Sequence, residues 1–131
     1  MSVELKMLLY SVVLGLAHVI IAAQFSTSQR GFKWNMSSRD GKTPELTGAA
    51  ARIDRASKNF LETFPFFAAA VLLLHASQVQ SSTATIGAQL YFYARLAYLP
   101  VYGVGIQGLR SLIWLASIVG LVMVLAPLFG V

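Results

Sequence analysis

Four apolar segments, each close to the length of a bilayer span, fix the fold class of this sequence. They cover residues 5–24, 60–80, 84–102 and 109–131. A transmembrane helix needs about 20 predominantly apolar residues. With 56% hydrophobic and 11% charged residues, the chain of 131 residues is too apolar for a soluble domain and too short for two domains. The sequence therefore predicts an all-α membrane protein, a single domain of four transmembrane helices. The predicted helices span about residues 3–28, 44–77, 82–101 and 107–130.

The first apolar segment is interpreted as a retained helix rather than a cleaved signal peptide. It contains Glu4 and Lys6, lacks a basic region followed by a small-residue cleavage site, and is long enough to span. The sequence has no cysteine, which excludes disulfides, cysteine-ligated metals and a protein thiol nucleophile. Any thiol chemistry must therefore come from a ligand.

Positive charge is concentrated in and beside the first connection, from Phe25 to Thr47. The cations there are Arg30, Lys33, Arg39, Lys42, Arg52, Arg55 and Lys58. Because Lys and Arg are enriched in cytoplasmic connections, we expect this connection to be cytoplasmic and both termini to lie on the opposite side, in a prokaryote across the inner membrane. Topology alone thus explains the net charge of +5, and nucleic acid is not expected as a partner.

The first connection is predicted to be a loop, with room for a short surface helix. Thr43 is expected to cap the second helix, with Pro44 at its first position and Glu45 in its first turn. This helix would run to about Ala76, which is longer than a bilayer requires. Pro65 removes one backbone donor and is expected to kink it.

The third helix is predicted to end near Pro100, and the fourth to begin near Leu109 after a turn marked by Gly103, Gly105 and Gly108. By the same topology, this turn lies on the cytoplasmic side. The cations near these helix ends would then gather on one side of the membrane with the start of the second helix.

A charged stripe marks the second helix. At about 100° per residue, Arg52, Arg55, Asn59 and Glu62 share an arc of about 80°. Topology gives no reason for a carboxylate inside an apolar run, and burying Glu62 unpaired would cost several kcal/mol. Arg55, Lys58 or a partner helix should therefore approach it.

Plainer interpretations stay open for the other polar residues. Arg95 and Arg110 would each be explained, taken singly, by snorkelling to the headgroups, and the tyrosines of the third helix by interfacial anchoring. His18 and His75 have no metal-ligand spacing and are expected to be satisfied core histidines, so no metal is expected.

As a set, several cations, one carboxylate and neutral donors complement a small ligand with two carboxylates and one ammonium. Glutathione has that pattern, with a thiol between its charged ends. A neighbouring arginine favours the thiolate: lowering a cysteine-like pKa from about 8.5 to about 6.5 raises the reactive fraction near neutral pH from a few per cent to most. Arg110 is the natural activator.

The helix-two motif is Arg52-x-x-Arg55-Ala-x-Lys58-Asn59-x-x-Glu62-x-x-Pro65-Phe66. It is followed by Ala94-Arg95, Tyr98, Tyr102 and Arg110-Ser111-Leu112-Ile113-Trp114. Together they resemble the MAPEG family, the membrane-associated proteins in eicosanoid and glutathione metabolism. The resemblance covers nearly the whole chain and is closest to short bacterial members. It implies a homotrimer in the lipid bilayer, with glutathione as co-substrate bound at each subunit interface near the cytoplasmic side.

The resemblance also implies roles for particular residues. Arg55, Asn59 and Glu62 would hold the charged ends of glutathione, while Arg110 would stabilise the thiolate with Ser111 beside it as the second catalytic residue. The complete set implied for binding is Arg30, Arg52, Arg55, Lys58, Asn59, Glu62, Arg95, Tyr98 and Tyr102. Tyr98 and Trp114 stand where the prostaglandin-forming relative has histidine and tyrosine, so prostaglandin E synthesis is not supported.

The leading functional hypothesis is a glutathione-dependent transferase or peroxidase in detoxification, acting on lipophilic electrophiles or lipid hydroperoxides that enter from the bilayer. A non-catalytic lipid-binding or scaffold member of the same family is the alternative. A small channel or transporter ranks last, because the charges gather at one face instead of lining a path across the membrane.

Overall fold

The computed structural model describes residues 1–131 as helices joined by short connections, with no strand. The all-α prediction is therefore confirmed. The helices are α1 (Val3–Arg30), α2 (Phe32–Met36), α3 (Gly48–Ala76), α4 (Ser82–Val104) and α5 (Gln107–Leu125), and a 3₁₀ turn, Ala126–Phe129, extends α5.

Three of these elements are both long and apolar enough to cross a membrane: α1, α3, and α5 with its 3₁₀ extension. The fourth long helix, α4, has 23 residues, about 34 Å at 1.5 Å per residue, but four tyrosines and Arg95 lower its hydropathy. Large apolar side chains such as Val13, Leu72 and Leu115 are exposed on the outer helix faces. This is the pattern of a helical bundle in a bilayer.

Close backbone contact joins α4 to α5. A Cβ atom on Gly87 would lie 2.6 Å from the carbonyl oxygen of Gly120, so only glycine permits this helix crossing. Beside it, the rings of Phe67 and Tyr91 stack with their centroids 4.0 Å apart. This apolar core fills the half of the bundle remote from the first connection, and all the arginines of the bundle lie in the other half.

The start of the second long helix differs from the prediction. It begins at Gly48, with Thr47 rather than Thr43 at the N-cap position. The side chain of Gln29 exchanges two hydrogen bonds of 2.9 Å with the backbone of Thr47, and the Arg30 Nε donates to the Pro44 carbonyl at 2.7 Å. These contacts hold the segment before Gly48 against the end of α1 and outside any helix.

The turn between the last two long helices also differs. Pro100 does not end α4, which continues to Val104. The stop is Gly105, whose φ of +84° is left-handed and typical of the glycine that follows a helix. Gly108 lies inside α5, so the turn is shorter than the three glycines indicated. The short surface helix in the first connection is α2.

Candidate functional site

A groove of about 650 Å³ opens where α3, α4 and α5 meet on the side of the first connection. Its polar walls come from the first two turns of α3, the end of α4 and the first turn of α5. Three arginines from two helices line it, namely Arg52, Arg55 and Arg110, together with Tyr102. The groove therefore brings together four residues of the predicted site that are far apart in sequence.

Tyr102 organises two of the arginines. The Arg55 Nε donates to the Tyr102 hydroxyl at 3.0 Å, and the Arg55 Cζ lies 5.8 Å from the centre of that ring. The Arg110 Cζ lies 4.8 Å from the same ring. One tyrosine thus holds two cations side by side, which favours a ligand carrying negative charge between them.

Arg52 is held by the turn after α4. Its Nε donates to the Gly103 carbonyl at 2.8 Å, and its side chain runs 3.6 Å from where a Gly105 Cβ would stand. A guanidinium has five N–H donors, so this bond leaves most of them for another acceptor. No carboxylate lies within 4 Å of any of the three arginines, because the one salt bridge in the structure joins Lys58 to Asp54.

The start of α3 adds backbone donors to the groove. Thr47 makes no side-chain capping hydrogen bond, and Thr47 and Gly48 both line the groove. The first N–H groups of a helix have no acceptor inside the helix and carry the positive end of its dipole. The groove is therefore suited to an anion on electrostatic grounds.

Glu62 and Asn59 lie farther along α3 and do not line the groove. Glu62 is exposed and has no ion pair, so neither Arg55 nor Lys58 approaches it within its own chain. Lys58 pairs instead with Asp54 at 2.9 Å, a contact that the spacing of four residues would have indicated. Asn59 is half-buried, and its Oδ1 has no hydrogen-bond partner.

The structure does not bring Arg95 and Tyr98 to the groove. Both are buried inside the bundle, where the Arg95 Cζ lies 4.3 Å from the centre of the Tyr98 ring and 5.5 Å from that of Phe60. The reason is helical periodicity, since Arg95 shares the inward face of α4 with Tyr91 and Tyr98. Arg95 therefore does not snorkel either.

The two histidines have different environments. His18 is buried, as predicted, and stacks on Phe60 at 4.8 Å. Neither of its ring nitrogens has a hydrogen-bond partner, so the prediction that its polar atoms are satisfied is wrong. His75 is exposed, so its prediction as a core residue is wrong: it lies in the last turn of α3, at the far end of the molecule. There it lines a polar pocket of about 750 Å³ with Glu4, and that pocket contains no arginine or lysine.

The remaining predicted residues border the groove or lie outside it. Arg30 bonds to Pro44 and lies over the Trp34 ring at 5.3 Å, so it stabilises the first connection. Ser111 is exposed beside Arg110, and its hydroxyl donates to the Gln107 carbonyl at 3.4 Å. Lys58 is solvent-exposed.

A scan against protein-family models matches residues 7–129 to the MAPEG family. The chain belongs to the MAPEG family. The comparisons with curated proteins and with solved structures find no match. Membership in this family, together with the apolar helices, makes the chain an integral membrane protein of a glutathione-related family that contains both enzymes and non-catalytic members.

Proposed function

We propose that this MAPEG protein binds glutathione in the groove and activates its thiol. The activated thiol then attacks lipophilic electrophiles or lipid hydroperoxides that arrive from the bilayer. The observation that carries the proposal is the set of three arginines without a carboxylate partner, two of them held on Tyr102. A groove that bound only lipid tails would have no use for this charge.

The carboxylates of glutathione match the cations at the start of α3. Arg52 and Arg55 have free N–H donors beside the open backbone N–H groups of Gly48 and its neighbours. Charge-assisted hydrogen bonds from guanidinium to carboxylate are among the stronger polar contacts in proteins. We assign one or both carboxylates of glutathione to this corner.

The ammonium of glutathione requires a carboxylate, and Glu62 is the candidate. It lies seven residues after Arg55, about 10 Å along the helix, and exposed apolar side chains flank it, including Leu61 and Phe66. Such a surface suits contact with another subunit. We therefore propose a homotrimer in which Glu62 and Asn59 complete the site at the subunit interface, on the cytoplasmic side.

Arg110 is the proposed activating residue. Its positive charge, at the start of α5 and partly shielded by Tyr102, stabilises the thiolate relative to the thiol and so lowers the thiol pKa; the proton leaves to water. A decrease of two pKa units corresponds to about 2.7 kcal/mol. In a transfer reaction the thiolate sulfur forms a thioether, either by displacing a leaving group as its anion or by adding to an activated double bond whose other carbon then takes a proton from water. In a peroxidase reaction two glutathione molecules reduce the hydroperoxide to an alcohol and water and become the disulfide.

Thiolate absorbance on mixing purified protein with glutathione tests this proposal. We expect a thiolate signal with the wild type and its loss in Arg110→Ala, because the stabilising charge is gone. Arg39→Ala is the matched control, since Arg39 is an exposed arginine of the first connection and its removal should leave the signal intact. A full thiolate signal in Arg110→Ala would refute thiol activation by this residue.

Calorimetry with glutathione distinguishes the non-catalytic alternative from the proposed glutathione-binding protein. A lipid-binding or scaffold protein with the same fold would give no heat and no thermal stabilisation with glutathione, whereas a ligand that binds only the folded state raises its stability. Binding of glutathione without thiolate formation would support the proposed binding site and refute the proposed thiol activation.

A further inference from the structure

The first connection contains a compact segment, residues 30–42, that the proposed glutathione site does not use. After Gly31, which adopts a left-handed φ of +93°, the chain reverses and α2 packs back along the end of α1. The Asn35 side-chain amide donates to the Thr27 hydroxyl and holds the two helices together. The segment is therefore a folded unit held at a fixed position along the axis of α1.

The position of α2 along the α1 axis corresponds to the membrane surface. The apolar part of α1 ends at Phe25, and Thr27 lies only about 3 Å farther at 1.5 Å per residue. A headgroup layer is roughly 5 to 7 Å thick on each side of the hydrocarbon core. Because Asn35 contacts Thr27, a bilayer whose hydrocarbon edge is at Phe25 would place α2 within this layer rather than in the water above it.

The exposed face of α2 is apolar. Phe32 is 69% exposed and Met36 is 71% exposed, and their spacing of four residues places them on one side of the helix. Trp34, between them in sequence, lies under the guanidinium groups of Arg30 and Arg39 at 5.3 and 5.6 Å. Apolar side chains, a tryptophan and flanking arginines in a short helix are typical of an element that lies in the interface plane.

The charge of the segment selects a type of lipid. Residues 30–42 contain four cations, Arg30, Lys33, Arg39 and Lys42, and one carboxylate, Asp40, which accepts a hydrogen bond from Ser38 at 2.9 Å. Basic residues at the level of the headgroups attract anionic phospholipids. A zwitterionic surface offers no net charge to this cluster.

We propose that residues 30–42 form a membrane-binding surface that recognises anionic phospholipid headgroups in the adjacent leaflet. Phe32 and Met36 insert at the top of the acyl chains, and Lys33, Arg39 and Lys42 contact lipid phosphates. This surface is separate from the arginine groove, and its lipid binding does not depend on glutathione.

Trp34 fluorescence tests the proposal in the intact protein. The chain has two tryptophans, so a Trp114→Phe background makes Trp34 the only reporter. The protein is reconstituted in vesicles of phosphatidylcholine alone or with added phosphatidylglycerol, with lipids brominated near the headgroup end of the acyl chain as quenchers. We expect blue-shifted emission and lipid quenching that increase when phosphatidylglycerol is present and decrease with salt.

Two sets of variants distinguish the contributions. Lys33→Gln with Lys42→Gln removes two of the four cations and should strongly reduce the dependence on phosphatidylglycerol. Phe32→Ser with Met36→Ser should instead shift the emission to the red in both membranes. Lys6→Gln is the control, because Lys6 is exposed at the opposite end of α1. Equal quenching in both lipid compositions would refute recognition of anionic lipid. Quenching of Trp34 by an aqueous quencher but not by brominated lipid would overturn the membrane surface altogether.

Discussion

The three arginines of the groove and a fourth arginine, Arg95, lie in the same half of the bundle but in opposite environments. Arg52, Arg55 and Arg110 line an open groove and bond to a backbone carbonyl or lie against Tyr102. Arg95 is fully buried, with its guanidinium between aromatic rings and without a hydrogen-bond partner from the protein. Arginine is therefore available to a ligand at the groove positions, whereas at position 95 it is packed inside the fold.

The difference lies in how each charge is stabilised. The groove arginines keep part of their hydration, and a ligand carboxylate can replace it at modest cost. Removing a charge from water costs several kcal/mol even after relaxation, and a desolvated cation over an aromatic ring recovers about 2 kcal/mol. Position on a helix face, rather than residue type, separates an arginine that binds a ligand from one enclosed by the fold.

The largest effect on stability should come from the aromatic layer that encloses Arg95. Phe60 is fully buried and its ring contacts those of His18 and Phe64, at 4.8 and 5.4 Å. Phe60→Ala should lower the free energy of unfolding by about 3 to 5 kcal/mol, because it leaves a cavity. Unfolding in mixed micelles measures this. Leu72→Ala, on an exposed face of the same helix, is the control and should cost much less; equal costs would mean that the layer is not a core.

The next effect tests the groove. Arg55→Met should leave stability nearly unchanged but raise the glutathione Kd at least tenfold, since hydrogen bonds to charged groups contribute about 1.5 to 3 kcal/mol and 1.4 kcal/mol is a factor of ten. Lys58→Met is the matched control on the same helix, because Lys58 is exposed and already paired with Asp54. Calorimetric titration measures both. A smaller rise in the glutathione Kd for Arg55→Met than for Lys58→Met would mean that the glutathione carboxylate binds outside the groove.

Sequence reasoning predicted four long helices, the membrane class and the gathering of arginines at the end of the bundle near the first connection, because apolar length and charge bias are local properties. It also identified Arg52, Arg55, Tyr102 and Arg110, which the structure brings together. It could not predict that Arg30 bonds to Pro44, since that contact depends on how the first connection folds back. The start of α3 was misplaced for the same reason: the Gln29 contact with Thr47 is tertiary and outweighs the local capping signal.

The helix-two stripe shows a second limit of sequence reasoning. Periodicity places Arg52, Arg55, Asn59 and Glu62 on one face of the helix, but it does not show what each part of that face contacts. The upper part of the stripe meets the end of α4 through Gly103 and Tyr102, whereas Glu62 is exposed. The depth at which a neighbouring helix ends determines this division, and no pattern within a single helix encodes it.

The smallest effect should be that of Arg95→Met, which sharpens the comparison between the two sets of arginines. Methionine nearly conserves the volume, and the lost cation–π contacts are offset by removal of a buried charge, so the free energy of unfolding should change by less than about 1.5 kcal/mol. The glutathione Kd should stay within about twofold, because Arg95 is closed off from the groove. Calorimetric titration of Arg95→Met with glutathione, in parallel with Arg55→Met, measures this difference. A comparable loss of affinity in the two variants would mean that Arg95 reaches the ligand, and that the boundary between packing and binding arginines runs elsewhere.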